Sequence, residues 1–331
     1  MILSRAIKRF LAVAVLTACL AFGQSSASSS ALQQSLNDAW WTGPIIAPNA
    51  TTLPPGHFLV EPYLYDVISE GFYNSSGKRV SAPHENGFGN LTYFNYGLFN
   101  KLTIGVIPVF GYNRVTNGPS SAGVGMGDVT VQAQYRLHLF HEGSWVPTTS
   151  INLQETLPTG RYDRLGDRPS NGFGAGALTT TISLYTQTFF WMPNGRILRA
   201  RFNVEPAFSR SVNIQDVSVY GTAAGFRGHA KPGSSILLNA AAEYSMTRHW
   251  VLALDAIYRH QANTPVKGYD IANPALPILL NSGPSDAFGL APAIEYNLNS
   301  KLGVIVGTRL FPWGRNTSYS VTPAVAVNYV H

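Results

Sequence analysis

Apolar and polar residues alternate along several stretches of this chain with the period of two that is typical of β-strands. In the clearest stretch, residues 128–139, every odd-numbered residue is apolar and every even-numbered residue is polar. The same alternation occurs at 196–208, 236–245, 288–297 and 325–329. A helix would instead repeat its apolar residues every three or four positions. The pattern therefore predicts an all-β protein.

The connections between these stretches alternate in length. Short turns occur at 97–100, 141–144, 192–195, 247–249 and 297–300. Longer segments rich in Gly, Pro and Asn lie between them, at 69–86, 115–125, 158–171, 212–233, 261–284 and 311–316. Short turns at one end and long loops at the other are typical of bacterial outer-membrane barrels, whose short turns face the periplasm. We expect a transmembrane antiparallel up-and-down β-barrel of about twelve strands, with one strand predicted at 172–191 and uncertain boundaries around 212–233.

Composition supports a strand protein in lipid. Only 12% of the residues are charged, 45% are hydrophobic and 12% are aromatic, whereas soluble domains carry about 25% charged residues. No stretch after the N-terminal region approaches the ~18 apolar residues of a transmembrane helix. In lipid every backbone polar group needs a partner within the protein, so strands there must close into a barrel.

The N-terminus predicts export. Arg5, Lys8 and Arg9 precede an apolar run at 10–22, and small residues follow it, which is typical of a secretory signal peptide. We predict a signal peptide at 1–27, and therefore localisation in the outer membrane of a Gram-negative bacterium. Its removal takes away three positive charges and lowers the formal charge from +6 to +3, too little for a nucleic-acid-binding surface.

Cys19 is the one cysteine of the chain. It follows Leu16, Thr17 and Ala18, which resemble a lipidation signal, so a lipidated Cys19 is an alternative to simple cleavage. In either case no disulfide framework and no cysteine-ligated metal is expected. We predict no cofactor and no metal.

The rest of the chain divides into a segment at 28–56 and a barrel at 57–331. The segment contains Trp40 and Trp41. It would lie either in the barrel lumen as a partial plug or in the periplasm as a tail, and the sequence leaves both possibilities open.

The alternation also predicts which charged residues face the lumen. Two interpretations of these residues remain open. The arginines would form a ladder that selects anionic solutes, or Arg and Glu would pair across neighbouring strands and hold a polar interior together. The selectivity candidates are Arg136, Arg199, Arg201, Glu205, Glu243, Arg259, Glu295 and Arg309, and Glu155 and Asp255 share the predicted inward face.

Several short motifs resemble those of a known family. They are Leu-Pro-Pro-Gly-His at 53–57 with Glu-Pro-Tyr at 61–63, Gly-Met-Gly-Asp at 125–128, Leu-Pro-Thr-Gly at 157–160, and Tyr-Ser-Met-Thr-Arg-His-Trp at 244–250. Together they resemble the outer-membrane β-barrel family that is associated by name with the meta-cleavage pathway of phenol degradation, whose members are generally called transporters. The C-terminus departs from the usual barrel pattern, since the chain ends in Val330 and His331 rather than in phenylalanine.

The resemblance implies a passive channel or uptake pore for small solutes, with aromatic or apolar compounds as candidates. The expected partners are outer-membrane lipid, a small-molecule solute and the barrel-assembly machinery, with no nucleic acid. Two alternatives stay open: a barrel enzyme that acts on lipid, and a structural or adhesive barrel. We predict no catalytic residue, because the sequence contains no His-x-Ser pair that would indicate an activated nucleophile.

Overall fold

The computed structural model describes residues 33–331. The predicted signal peptide with Cys19, and residues 28–32, lie outside this range. Short 3-10 helices occur at Leu36–Asp38 and Pro169–Asn171. No helix in residues 33–331 is long and apolar enough to cross a membrane. The strands are β1 (Phe58–Tyr73), β2 (Arg79–Phe99), β3 (Leu102–Ile107), β4 (Val109–Val115), β5 (Gly125–Met126), β6 (Val129–His138), β7 (Thr148–Leu157), β8 (Thr179–Trp191), β9 (Ile197–Ser209), β10 (Val212–Gln215), β11 (Phe226–Ala230), β12 (Ser235–Ser245), β13 (Trp250–Gln261), β14 (Pro265–Asp270), β15 (Asn273–Asn281), β16 (Ser285–Asn297), β17 (Leu302–Arg315) and β18 (Thr317–Val330).

Most of these strands form one closed antiparallel sheet. Its order is β1-β18-β17-β16-β13-β12-β9-β8-β7-β6-β3-β2-β4-β5, and β1 also pairs with β2. Pro108, which has no backbone N–H to donate, separates β3 from β4, and both segments pair with β2. β5 and β6 likewise form two parts of one wall strand. The wall therefore contains twelve strands, and the prediction of a closed twelve-stranded barrel is confirmed.

The two faces of the wall differ as the alternation predicts. On β6, Val131, Tyr135 and Leu137 are exposed on the outer surface. Gln132 and Gln134 face inward and form hydrogen bonds with other inward side chains. An apolar exterior around a polar interior is the arrangement that a barrel needs in a bilayer.

Two of the predicted long loops are wrong. β1 and β2 stay paired up to Tyr73 and Arg79, so most of 69–86 is strand, and the turn occupies only 74–78. β17 and β18 are joined at Asn316, so 311–316 is also mostly strand. Both hairpins extend beyond the band where lipid contacts one face, so their sequences have no reason to alternate.

Three long loops build structure at the same end of the barrel as these two hairpins. Residues within 212–233 and 261–284 form a four-stranded sheet in the order β10-β11-β14-β15. Its inner face packs Ile214, Phe226 and Val266 into a small apolar core that includes Ala177 of the loop between β7 and β8. The strand predicted at 172–191 begins only at Thr179, because residues 172–178 belong to that loop.

Candidate functional site: the barrel lumen

Residues 33–56, here called the N-terminal segment, lie against inward-facing side chains of the barrel wall. The backbone N–H groups of Thr42 and Gly43 donate to the Glu295 carboxylate of β16 at 2.7 and 3.1 Å. Those of Ile46 and Ala47 donate to the Asp255 carboxylate of β13 at 3.2 and 3.0 Å. Two buried carboxylates thus hold four backbone N–H groups of the segment by charge-assisted hydrogen bonds.

The N-terminal segment continues past the opposite strands. Ser150 of β7 donates to the Ala50 carbonyl at 2.9 Å, and the Leu53 N–H donates to Thr103 of β3 at 2.8 Å. These contacts lie in the half of the lumen that carries the short turns. The segment therefore winds inside the bore from β16 to β3 and narrows it at this end.

Trp40 and Trp41 both lie beside arginines. The Arg248 guanidinium is 4.6 Å from the centre of the Trp40 ring, and the Arg199 guanidinium is 4.5 Å from that of Trp41. Cation–π contacts of this kind stabilise by roughly 0.5–2 kcal/mol. They attach the start of the segment to β9 and to the turn after β12. Whether the tryptophans act as a plug stays a prediction.

Arg199, Arg201 and Glu243 form a buried ion cluster beside the N-terminal segment. Arg199 lies directly opposite Glu243 across the β9–β12 pair, and its Nε donates to Oε2 at 2.7 Å. Arg201 Nε lies 3.0 Å from the same oxygen, while its Nη1 donates to the Ala47 carbonyl at 2.6 Å. The Glu243 side chain is fully buried. This geometry favours the cross-strand pairing interpretation for these three residues.

The other acidic and rim candidates are bonded locally. Arg136 donates to the carbonyl of Asn100 in a short turn at 3.0 Å. Glu205 accepts hydrogen bonds from Ser183 and Tyr185 of β8, both at 3.4 Å. Neither Arg136 nor Glu205 forms an ion pair among the residues that the structure describes. Their proposed role in selectivity stays a prediction.

Arg259 and Arg309 differ from the arginines of the ion cluster. Arg259 shares the inward face of β13 with Asp255, and Arg309 shares the inward face of β17 with Gly307, which lies against Ile45 of the N-terminal segment. Within residues 33–331, neither guanidinium has a hydrogen bond or an ion pair with a carboxylate. Arg309 instead lies 5.3 Å from the centre of the Phe311 ring.

The end of the lumen that carries the long loops contains an open cavity, here called the vestibule, with a volume of about 680 Å³. Phe173, in the loop between β7 and β8, packs against Gly111 and Gly125, in the space that a side chain at either position would occupy. The loop therefore folds over the mouth of the barrel. The lining residues, all within the described range, include no Asp, Glu, Lys, Arg or His. Burial raises the pKa of the Tyr220 hydroxyl in this lining to about 12, so the vestibule is uncharged at neutral pH.

Sequence reasoning missed the vestibule. Phe173 and Tyr220 fall in segments without alternation, so no periodic signal marks them. The glycines at 172, 174 and 176 were a usable signal, since Gly174 allows close contact with Gly160 and with the Asp128 side chain. Asp128 in turn accepts hydrogen bonds from the Gly160 and Ala175 N–H groups and holds the loop over the mouth.

No group of His, Cys, Asp and Glu in residues 33–331 could hold a metal ion. In the same range no serine hydroxyl is hydrogen-bonded to a histidine ring, as an activated serine nucleophile would require. The lumen is narrowed by the N-terminal segment at one end, and at the other end it carries the vestibule beneath the loop between β7 and β8.

A closed twelve-stranded barrel with a lipid-compatible exterior and a polar bore defines an outer-membrane β-barrel protein. The family model described as "Putative MetA-pathway of phenol degradation" matches residues 72–329. This match covers more than half of the chain, so the chain belongs to this family, and the resemblance found in the sequence is confirmed.

A solved outer-membrane channel shares this fold. An outer membrane channel from Pseudomonas putida F1 superposes with a TM-score of 0.64 at 13% identity, over 86% of this chain and 100% of that one. The translocator domain of the autotransporter NalP from Neisseria meningitidis superposes with a TM-score of 0.42 at 11% identity, over 84% of this chain and 89% of that one. The toluene transporter TbuX from Ralstonia pickettii superposes with a TM-score of 0.37 at 10% identity, over 84% of this chain and 90% of that one. No curated protein matches the sequence.

Proposed function

We propose that this barrel is an outer-membrane channel for passive uptake of small solutes, among them aromatic compounds. The observation that carries the proposal is the vestibule of about 680 Å³, which lies at the long-loop end of a barrel whose interior is polar. Ligand sites of small molecules have volumes of roughly 300–1,000 Å³, so the vestibule can admit one small solute. The Pseudomonas putida barrel of the same fold is itself described as a channel.

We further propose that the N-terminal segment is a partial plug. Its contacts with Glu295, Asp255 and Ser150 support this role, since each contact occupies an inward side chain that water or solute would otherwise meet. A solute would then enter through the vestibule and leave past this segment. Outer-membrane lipid surrounds the barrel, and insertion by the barrel-assembly machinery is part of the proposal.

Liposome swelling tests the channel. The full mature chain is reconstituted in vesicles, which are then placed in an isotonic solution of phenyl β-glucoside, a neutral aromatic solute that crosses bare bilayers poorly. We expect swelling well above that of protein-free vesicles, and no swelling in a neutral oligosaccharide too large for the vestibule. Equal swelling with and without protein would contradict the channel.

Removal of residues 33–50 tests the plug. Single-channel conductance in a planar bilayer should rise several-fold, because a chain segment inside the bore would be replaced by electrolyte. A synthetic peptide of residues 33–50, added to the truncated barrel, is the matched control and should lower the conductance again. Unchanged conductance after truncation would assign the segment a purely structural role.

We also propose that the protein is not an enzyme. The described range offers no serine and histidine pair for an acyl transfer, as noted above. A phospholipid hydrolysis assay of the reconstituted barrel, with and without Ca²⁺, should give no product above protein-free vesicles. Product formation would favour the alternative of a lipid-acting barrel.

A further inference from the structure

The wall formed by β13, β16 and β17 carries two arginines that no carboxylate of the described residues contacts. The inward carboxylates of the same strands, Asp255 and Glu295, instead accept hydrogen bonds from backbone N–H groups of the N-terminal segment. Arg259 and Arg309 lie on the inward faces of β13 and β17, on either side of β16. Within residues 33–331, no Asp or Glu oxygen lies within 4 Å of either guanidinium, whereas Arg199 and Arg201 both contact Glu243. Arg259 lies opposite Ala287 of β16, and Leu310, the neighbour of Arg309, lies opposite Leu290 of the same strand, so the two arginines flank one short stretch of β16.

The polar atoms around Arg309 also lack partners. Its Nε is inaccessible to water and has no hydrogen-bond acceptor among the described residues, and the same holds for the Oγ1 of Thr322. Thr322 lies directly opposite Arg309 on β18. Buried donors are normally satisfied, and a guanidinium offers five N–H donors in a planar fork. The two Nη groups of Arg309 also form no hydrogen bond with a described residue, and an acceptor supplied from outside the protein would bind there.

The wall between the two arginines is made of small residues. β16 presents Ala287, Gly289 and Ala291 to the lumen, and Ala287 lies opposite Arg259. Small side chains leave space in front of this strand, and the bulky neighbour is aromatic, since the Phe311 ring lies over Gly289. The site therefore combines two cations, free space and an aromatic surface.

The inward carboxylates of this half of the lumen are bonded elsewhere. Glu155 on β7 accepts from the Thr180 hydroxyl at 2.7 Å, and Glu205 on β9 accepts from Ser183 and Tyr185. These acids lie on the side of β12 away from β13 and β17. The lumen consequently has an acidic wall and a basic wall at this level.

We infer that Arg259 and Arg309 form a binding site for the carboxylate of a small aromatic anion, an inference that rests on the proposed channel and narrows its solute class. Guanidinium groups bind carboxylates through paired N–H···O bonds, and unpaired arginines in a pore favour anions. The aromatic ring of the solute would pack against Phe311. Gln261, two residues after Arg259 on β13, lines the uncharged vestibule, so the vestibule lies beside this pair.

Benzoate is the probe, and the full mature chain in detergent is the sample. Isothermal titration calorimetry should show that the wild type binds benzoate. The double variant Arg259→Gln/Arg309→Gln should raise the dissociation constant at least about tenfold, because it removes the charged partners of the carboxylate. Lys101→Gln/Lys301→Gln is the matched control, since it removes two positive charges from the short turns outside the lumen, and it should bind benzoate as the wild type does. Acetate should bind more weakly than benzoate, because it lacks the ring.

A second measurement uses the channel in planar bilayers. Benzoate should reduce the wild-type chloride current at a lower concentration than it reduces that of Arg259→Gln/Arg309→Gln, and neutral benzyl alcohol should have the same effect on both. The inference is overturned if benzoate binds the double variant as tightly as the wild type, or if inorganic phosphate binds better than benzoate.

The two proposals can fail separately. Phenyl β-glucoside swelling with no benzoate binding would leave the channel and remove the anion site. Benzoate binding in detergent without any swelling would leave the site and remove the channel. Swelling by the double variant also shows that the variant is folded.

Discussion

Two pairs of arginines face the same lumen in opposite environments. Arg199 and Arg201 lie in the half with the short turns, where Glu243 sits between them and the N-terminal segment covers them. Arg259 and Arg309 lie nearer the vestibule, with no carboxylate beside them in the described range. Position on an inward face therefore does not decide what an arginine does. The cross-strand neighbour decides it, since Glu243 lies opposite Arg199, whereas Ala287 lies opposite Arg259 and Thr322 lies opposite Arg309.

Arg199 and Arg201, the lower pair, connect the barrel wall to the N-terminal segment. The Glu243 carboxylate is fully buried between two guanidiniums, and the same two arginines contact the Trp41 ring and the Ala47 carbonyl. The ion cluster and the N-terminal segment therefore form one network. Arg259 and Arg309, the upper pair, belong to no such network within residues 33–331, which leaves them available to a solute.

The largest expected effect comes from breaking the lower network. Glu243→Gln leaves two buried guanidiniums without their shared carboxylate, and the free energy of unfolding should fall by about 3–5 kcal/mol. Equilibrium unfolding of the barrel in lipid vesicles by guanidinium chloride measures this change.

Glu70→Gln is the control for that experiment. Glu70 forms a 3.7 Å ion pair with Arg79, in which both side chains are about half exposed. Exposed pairs contribute about 0–1 kcal/mol, so this substitution should change the unfolding midpoint little. A similar loss in both variants would mean that the buried cluster adds no more than a surface pair.

A smaller effect is expected where the N-terminal segment meets β2. A Cβ at Gly97 would lie 2.0 Å from the Pro54 carbonyl oxygen, so Gly97→Ala must displace the segment or strain the strand. Overpacking of this kind lowers the free energy of unfolding by about 1–3 kcal/mol, which the same unfolding experiment in lipid vesicles measures. Displacement should also raise single-channel conductance.

Gly123→Ala is the matched control, because a Cβ at Gly123 would have no atom within 4 Å. It should leave both stability and conductance unchanged. If Gly97→Ala behaves in the same way, the segment does not press against β2 in the membrane.

The strand count was predictable from the sequence because lipid on one face and a polar bore on the other impose a period of two. Hairpin tips such as 69–86 and 311–316 were mispredicted, since neither face of a strand meets lipid there. The pairing of Arg199 with Glu243 was one of two open interpretations. Their contact depends on the register of β9 against β12, and a long loop between these strands leaves that register undetermined in the sequence.

The contacts of the N-terminal segment were likewise not predictable from the sequence. Its tryptophans were conspicuous in the sequence, but the groups that hold it are backbone amides of Thr42, Gly43, Ile46 and Ala47. Backbone amides are present in any sequence, so nothing in the residue types marks them as the points of attachment. Asp255 was expected to face inward, yet its role as an acceptor for two of these amides became visible only in the folded barrel.

The smallest expected effect separates the two arginine pairs directly. Arg259→Gln removes a guanidinium that has no carboxylate partner, so the free energy of unfolding should change by no more than about 0.5 kcal/mol. Arg199→Gln, measured under the same conditions, removes the direct partner of Glu243 and should cost several times more, because it leaves a buried carboxylate with one arginine instead of two. Equal losses for Arg259→Gln and Arg199→Gln would show that the upper arginine is already satisfied in the membrane, and a solute carboxylate would then have no vacant donor to bind.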